Sequence, residues 1–414
     1  TDVAPDVTLA WGRNGREADH HDVYVGTDAG SLSLAASVSE SSFDSLAVDL
    51  QLGQSYAWRV DEVNEAMDPS TWEGTVWNFT MADAIVIDDM ESYKDAEFLE
   101  IWATWIDGFG DEVNNGALVG ADPLTGDFSP ETDNVHGGGQ SLPIHYDNTA
   151  AAQSEATRTF DAPMDWSIGG AETLVLFFSG ASGNTGQFYL KVNGSKVVYD
   201  GDASAISTPF FTQWNIDLAS VGANLQAVTT LTIGVEGGSG VLFVDDILLY
   251  KAAPAVPELI FLEAEAADVL GASWKVLDDP AASGGMYIGS VDGDGDDNDL
   301  APGVEWHATY SFNAAGGTYK VVLRAQEQGS DGVWVRITTA TAQTHEDPDQ
   351  PGTGWVRFNG IDAPSGWAWD EVHSDDHGQA VVNWTLSAGP NTIEIAKRED
   401  GVGFDAIVIT DDVN

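Results

Sequence analysis

Carboxylates stand inside apolar runs at four places in this chain. One segment opens on Glu263-Ala264-Glu265 and closes on Phe404-Asp405-Ala406-Ile407-Val408-Ile409-Thr410. An earlier segment opens on Asp88-Asp89-Met90-Glu91 and closes on Asp245-Asp246-Ile247-Leu248-Leu249-Tyr250. A carboxylate in an otherwise apolar strand is costly unless it is paired or holds a cation. Ca2+ takes several hard oxygen donors, and two adjacent strand ends can supply them together. The repeated pattern predicts two jelly-roll sandwiches, each with its first and last strands side by side around a structural calcium ion. In the second unit the ligand candidates are Asp89, Glu91 and Asp246. The plainer reading makes all of these carboxylates solvated strand ends.

The elements that must position these groups are strands. Of 414 residues, 43% are hydrophobic, enough for buried cores, and 45 are Gly. Short runs such as Thr173–Phe178, Gln187–Val192, Thr318–Arg324 and Thr392–Ala396 are β-branched and aromatic, and turn residues bound them. No segment between 83 and 252 has a convincing helical period, and Asp107–Val135 reads as a long loop. The fold class is all-β, with three tandem β-sandwiches. They span residues 1–82, 83–252 and 258–414, and a Pro-containing linker occupies 253–257.

The net charge is −52, from 67 acids against 15 bases. Such a field repels nucleic acid, anionic membranes and strongly anionic polysaccharides. No apolar run long enough to insert into a membrane is visible. There are no cysteines, which excludes disulfides, thiolate metal sites and cysteine nucleophiles.

Residues 1–82 carry Trp11, Asp22-Val23-Tyr24-Val25-Gly26-Thr27, Tyr56-Ala57-Trp58-Arg59-Val60-Asp61-Glu62 and Trp77-Asn78-Phe79-Thr80. This pattern resembles a fibronectin type III domain of large secreted bacterial proteins. The resemblance implies a further strand before the one ending at Trp11. The open edge there could pair with another chain, giving self-association through the N-terminal sandwich. Trp11, Tyr24, Trp58 and Trp77 alternate as core residues.

Residues 258–414 resemble family 6 and family 35 carbohydrate-binding modules. The resemblance rests on Glu263-Ala264-Glu265, Ala282-Ser283-Gly284-Gly285 before Tyr287, Gly317-Thr318-Tyr319, Arg324, Trp367-Ala368-Trp369, Leu386–Gly389, Arg398-Glu399 and the run from Phe404. Residues 83–252 are similar, more loosely, to galactose-binding-like jelly rolls. The family resemblance implies calcium ligands Glu263, Glu265 and Asp405, with backbone carbonyls from Ser283 to Gly285. It implies a sugar site near Arg324, for which Trp355, Trp367 and Trp369 are stacking candidates. Gln326, Glu327 and Asp331 are polar neighbours. Sugar rings need flat apolar faces with a few polar groups to orient them. In an extended chain Trp367 and Trp369 share a face, and core packing is the competing reading for each tryptophan. Where the family usually has an aromatic after the arginine and an asparagine before the Phe-Asp pair, this chain has Ala325 and Gly403.

Other motifs carry less. The acidic run Val291–Asp299 lacks the glycine and glutamate of an EF-hand loop. His136-Gly137-Gly138-Gly139 reads as a turn, and His373 and His377 lack the spacing of a zinc site. Trp102, Trp105, Tyr146 and Tyr189 could line a concave face of the second unit, but core packing suits most of them better. No nucleophile elbow occurs. The expectation is a non-catalytic glycan-binding part of a larger secreted or cell-surface bacterial protein. The alternative is a structural or adhesive component of an extracellular filament or surface layer.

Overall fold

The computed structural model describes residues 2–5, 7–12, 18–44, 48–94, 96, 99–120, 128–181, 183–290, 301, 303–326, 332–361, 366–399 and 401–411. The fold is all-β and comprises three sandwiches. The chain divides into two compact units, Thr1–Ala255 and Val256–Asn414. The first two sandwiches both lie in the first of these units. Leu52 belongs to the second sandwich's core, and its N–H donates to the Gly169 carbonyl at 2.9 Å.

In the first sandwich, one sheet runs in the order Asp2–Val3, Trp77–Met81, Ser55–Val63, His20–Gly26, Ser33–Val38. The facing sheet has two described strands, Thr8–Ala10 and Ser42–Asp44. The short Asp2–Val3 strand pairs in parallel with Trp77–Met81 rather than extending the facing sheet. Trp11, Trp58 and Trp77 form a ladder with centroid spacings of 6.4 and 5.1 Å. Its outer member Trp77, expected in the core, is 44% exposed.

The second sandwich packs two sheets over a core that includes Trp105, Trp166, Phe178 and Phe188. Its first strand, Ala84–Asp88, lies antiparallel to its last, Ser239–Tyr250, as the acidic pattern predicts. The stretch read as a long loop contains the edge strand Ala117–Val119, whose two terminal side chains are fully buried. A single helical turn, Ile101–Thr104, precedes it.

The third sandwich is built the same way. His307–Ala314 shows why: Ala308, Tyr310, Phe312 and Ala314 alternate inward, the period of a strand with one buried face. One sheet runs Trp274–Asp278, Met286–Ser290, Gly403–Thr410, Gly317–Gln326, Asn383–Leu386, Ala342–Gln343. Leu259–Glu263 also pairs with Gly403–Thr410, and Ala368–Glu371 with Gly317–Gln326. The opposing sheet runs Val269–Leu270, His307–Ala314, Gly389–Lys397, Gly332–Ile337, Val356–Asn359.

Candidate functional site

The pairing of first and last strands in the third sandwich sets Glu263 opposite Ala406, beside Asp405. The turn Ala264–Ala266 follows. Over these carboxylates lies the loop Ser283–Gly285. Gly284 and Gly285 have φ of 60° and 79°, a conformation that favours glycine. A Cβ on Gly284 would sit 3.3 Å from Glu265 Oε1 and 3.9 Å from Glu263 Oε1, so both acids reach under the loop.

Ser283 donates its N–H to Asp405 Oδ2 at 3.0 Å and its hydroxyl to Glu263 Oε1 at 2.9 Å. Arg324 Nη1 pairs with the same Asp405 oxygen. Three oxygens remain without a donor: Glu263 Oε2, Glu265 Oε2 and Asp405 Oδ1 are buried and unpaired. Burial pushes all three carboxyl pKa values up, and for Asp405 the Ser283 N–H and the Arg324 guanidinium only partly offset it. Unpaired buried carboxylate oxygens are costly, and a hard divalent cation is the partner their chemistry fits. Among the described residues no three acidic or imidazole side chains converge as a finished metal site; Ser283 and Arg324 hold two of these acids instead. The carbonyls of Ser283 and Gly285 accept from Met286 and Asp279 N–H groups, and each keeps a second lone pair.

The same loop reaches an aromatic pair. Trp367 and Tyr287 are half-buried, with centroids 5.0 Å apart and planes at 72°. Trp367 Nε1–H donates to Asp279 Oδ2 at 3.0 Å, which fixes the indole. The Arg324 guanidinium lies 5.8 Å from the Trp367 ring centroid. Trp369 is half-buried on the neighbouring strand, with Arg324 as its cross-strand partner. Both Trp367 and Trp369 therefore flank Arg324.

Tyr287 was not foreseen as part of a site. Gly403 makes room for it: a Cβ there would lie 2.9 Å from Tyr287 Cε2 and 3.3 Å from Gln326 Nε2. The space an asparagine would fill holds the Tyr287 ring and the Gln326 amide. Ala325 is fully buried in the core, so a larger ring at that position would point inward here. Gly403→Asn should push Tyr287 off its seat and weaken any ligand held there by about tenfold, or about 1.4 kcal/mol. Calorimetric titration against the wild type checks this, and an unchanged affinity would separate Tyr287 from the site.

Trp355 is a correction. It is 4% exposed and packs with Trp334 and Ala396 on the other sheet, under the Arg336 guanidinium at 4.2 Å. It has no face to offer a sugar. The acidic run 291–299, Glu327 and Asp331 lie outside the described residues.

In the second sandwich the acids at the paired strand ends have donors within the fold. Asp88 is buried and accepts from Met90 N–H at 3.1 Å, Tyr93 Oη at 2.6 Å and Trp105 Nε1 at 3.0 Å, and it pairs with Arg158. Asp89 Oδ1 accepts from Glu91 N–H at 3.3 Å. Glu91 Oε1 accepts from Gly139 and Gln140 N–H groups at 2.8 and 2.9 Å. Asp245 Oδ2 accepts from His136 N–H at 2.8 Å, and Asp246 Oδ2 meets His136 Nδ1 at 2.6 Å. Burial pushes the Asp245 carboxyl up to about 6. These acids clasp the loop from His136 to Gln140, whose imidazole stacks on Phe177 at 3.5 Å. No oxygen of Asp89 or Asp246 is left buried and unpaired, and Glu91 is exposed. The orphaned oxygens that mark the third sandwich have no counterpart on these residues. Trp105, Tyr146 and Tyr189 are buried, and Trp102 is 43% exposed.

No family model matches the chain, and no curated protein matches it. The chain is structurally similar, at low identity, to carbohydrate-binding modules. The C-terminal CBM6 of LamC, a marine laminarinase from Zobellia galactanivorans, is 14% identical at a TM-score of 0.24, over 37% of this chain and 99% of that one. The family 11 module of Lic26A-Cel5E from Clostridium thermocellum is 14% identical at 0.27, over 42% and 96%. The Podospora anserina GH26-CBM35 β-(1,4)-mannanase is 17% identical at 0.26; the match covers 36% of this chain and only 27% of the mannanase. Likeness at this level identifies no ligand.

Proposed function

We propose that this chain is a non-catalytic glycan-binding protein working outside the cell. Its third sandwich takes a neutral sugar against Trp367 and Tyr287, on a framework that Ca2+ ties together at Glu263, Glu265 and Asp405. The observation that carries the reading is the loop 279–285, which serves both places: Asp279 orients Trp367 while Ser283 binds Asp405 and Glu263. The sequence resemblance to family 6 and 35 modules supports it. The net charge of −52 favours an uncharged ligand over an anionic one. A glycan array probed with the full chain at saturating calcium tests it. Binding to at least one neutral glycan supports the reading, and an empty array overturns it.

The acids also set a pH dependence. Their raised pKa values mean that the cation-free folded state holds protons the unfolded chain releases. That contribution to stability is fully present below the ordinary carboxylate range, near pH 4, and is lost as pH rises through the raised values. Cation binding needs the same carboxyls ionised. The gain in melting temperature from calcium over metal-stripped protein should therefore shrink as pH falls from 7.5 to 5. A gain that stays constant over this range would remove these acids from the cation site.

A structural or adhesive role is the second reading. The observation that favours it is the facing sheet of the first sandwich, which has two strands among the described residues, together with the 44% exposed Trp77. A strand from a second copy could add beside Thr8–Ala10.

A further inference from the structure

The guanidinium of Arg324 belongs to both places at once. Its Nη1 pairs with Asp405 Oδ2, its Nη2 donates to the Ala281 carbonyl at 3.2 Å, and its carbon lies 5.8 Å from the Trp367 ring centroid. We propose, resting on the glycan and cation reading above, that Arg324 is a positioning residue that couples the two sites. It neutralises Asp405 while the carboxylates lack a cation, and it turns to the Trp367–Tyr287 pair to donate to a sugar hydroxyl when Asp405 is engaged by one.

The argument begins with Asp405, which is fully buried. Its Oδ2 already accepts from Ser283 and Arg324, while its Oδ1 has no partner. Two positive charges on one buried carboxylate repel each other strongly, because the interior screens them poorly. Arg324 and a divalent cation therefore compete for Asp405. The guanidinium has five N–H donors, so it can change partners without losing every hydrogen bond. The place it can turn to is already within cation–π range, over the ring on which a sugar would stack. The connection is one short loop: Asp279 fixes Trp367, Ala281 holds Arg324, and Ser283 holds Asp405 and Glu263. Coupling of this kind is reciprocal, so whatever calcium does for glycan affinity, the glycan does for calcium affinity.

The sign of one effect separates this role from a structural one. A residue that merely props up the cation site would weaken calcium binding when removed. Arg324 opposes the cation, so Arg324→Gln should tighten calcium binding by about tenfold in calorimetric titrations of the metal-stripped full chain. Arg324→Lys keeps the charge but loses the forked reach. It should leave calcium affinity near wild type and tests the proposal even if the glutamine variant does not fold. In the wild type, saturating calcium should raise affinity for the neutral glycan selected on the array by about tenfold; in both variants that ratio should fall to about one. Unchanged or weaker calcium binding in Arg324→Gln would overturn the proposal, as would a lysine variant with full coupling. A wild type that binds no glycan under any condition overturns the glycan reading instead, and the calcium arm then decides by itself whether Arg324 opposes the cation.

Discussion

Stripping divalent cation from the full chain should lower the unfolding transition of the third sandwich by roughly 5–10 °C. The figure follows from linkage: a ligand at a hundredfold excess over its Kd stabilises the state that binds it by about 2.7 kcal/mol. A sandwich of this size shifts by roughly 2–4 °C for each kcal/mol. Three buried carboxylate oxygens without donors supply the drive, since the cation removes a cost the cation-free fold must carry. Glu265→Gln gives the sharpest form of the test. Glu265 Oε2 has no partner, and burial already disfavours its charge. A neutral amide there should leave the metal-stripped protein as stable as wild type or slightly more so, while removing the response to calcium. An ordinary structural glutamate would behave in the opposite way. Differential scanning calorimetry with and without calcium reads both quantities. A calcium response that survives Glu265→Gln would take the cation away from this site.

Trp367→Ala should cost at least about thirtyfold in glycan affinity, or about 2 kcal/mol, the scale of an aromatic anchor at the centre of a contact. Stability should change little, because Trp367 is half-buried, with Tyr287 and Arg324 beside its ring. Trp355→Ala makes the contrast. That ring is buried against Trp334 and Ala396, and its loss should cost about 3–5 kcal/mol of stability. Glycan affinity in whatever Trp355→Ala protein remains folded should be near wild type. Isothermal titration and thermal melts on the two variants separate a stacking platform from a core residue. Equal losses of affinity would erase the distinction.

The pairing of first and last strands was legible because acids interrupt apolar runs at both ends of each jelly roll, and few strand arrangements tolerate that. The partner of each acid was not. Asp88 and Arg158 lie 70 residues apart in sequence, and nothing local says that Tyr93 and Trp105 also donate to Asp88. For Asp89, Glu91 and Asp246 the sequence named the acids but not the loop beside them: the N–H groups of Gly139 and Gln140 reach Glu91, and the imidazole of His136 reaches Asp246, from a long way along the chain. Trp355 illustrates the opposite failure. The family resemblance made it a stacking candidate, yet it leads into Val356–Asn359, whose strand lies beside that of Trp334. Which of two sheets a tryptophan covers is a tertiary fact. Tyr287 escaped notice because its seat is an absence, the missing side chain of Gly403. Trp77 alternates as a core residue, yet it is 44% exposed, and among the described residues the facing sheet has two strands.

Indole resonances offer the most direct view of the sugar site. In 1H–15N spectra of the full chain with calcium, titration of the neutral glycan selected on the array should move the Nε1–H signal of Trp367, assigned through Trp367→Phe. The signals of the buried Trp334, Trp355 and Trp384 should stay in place. A Trp367 signal that holds still while the glycan binds would contradict the site argued here.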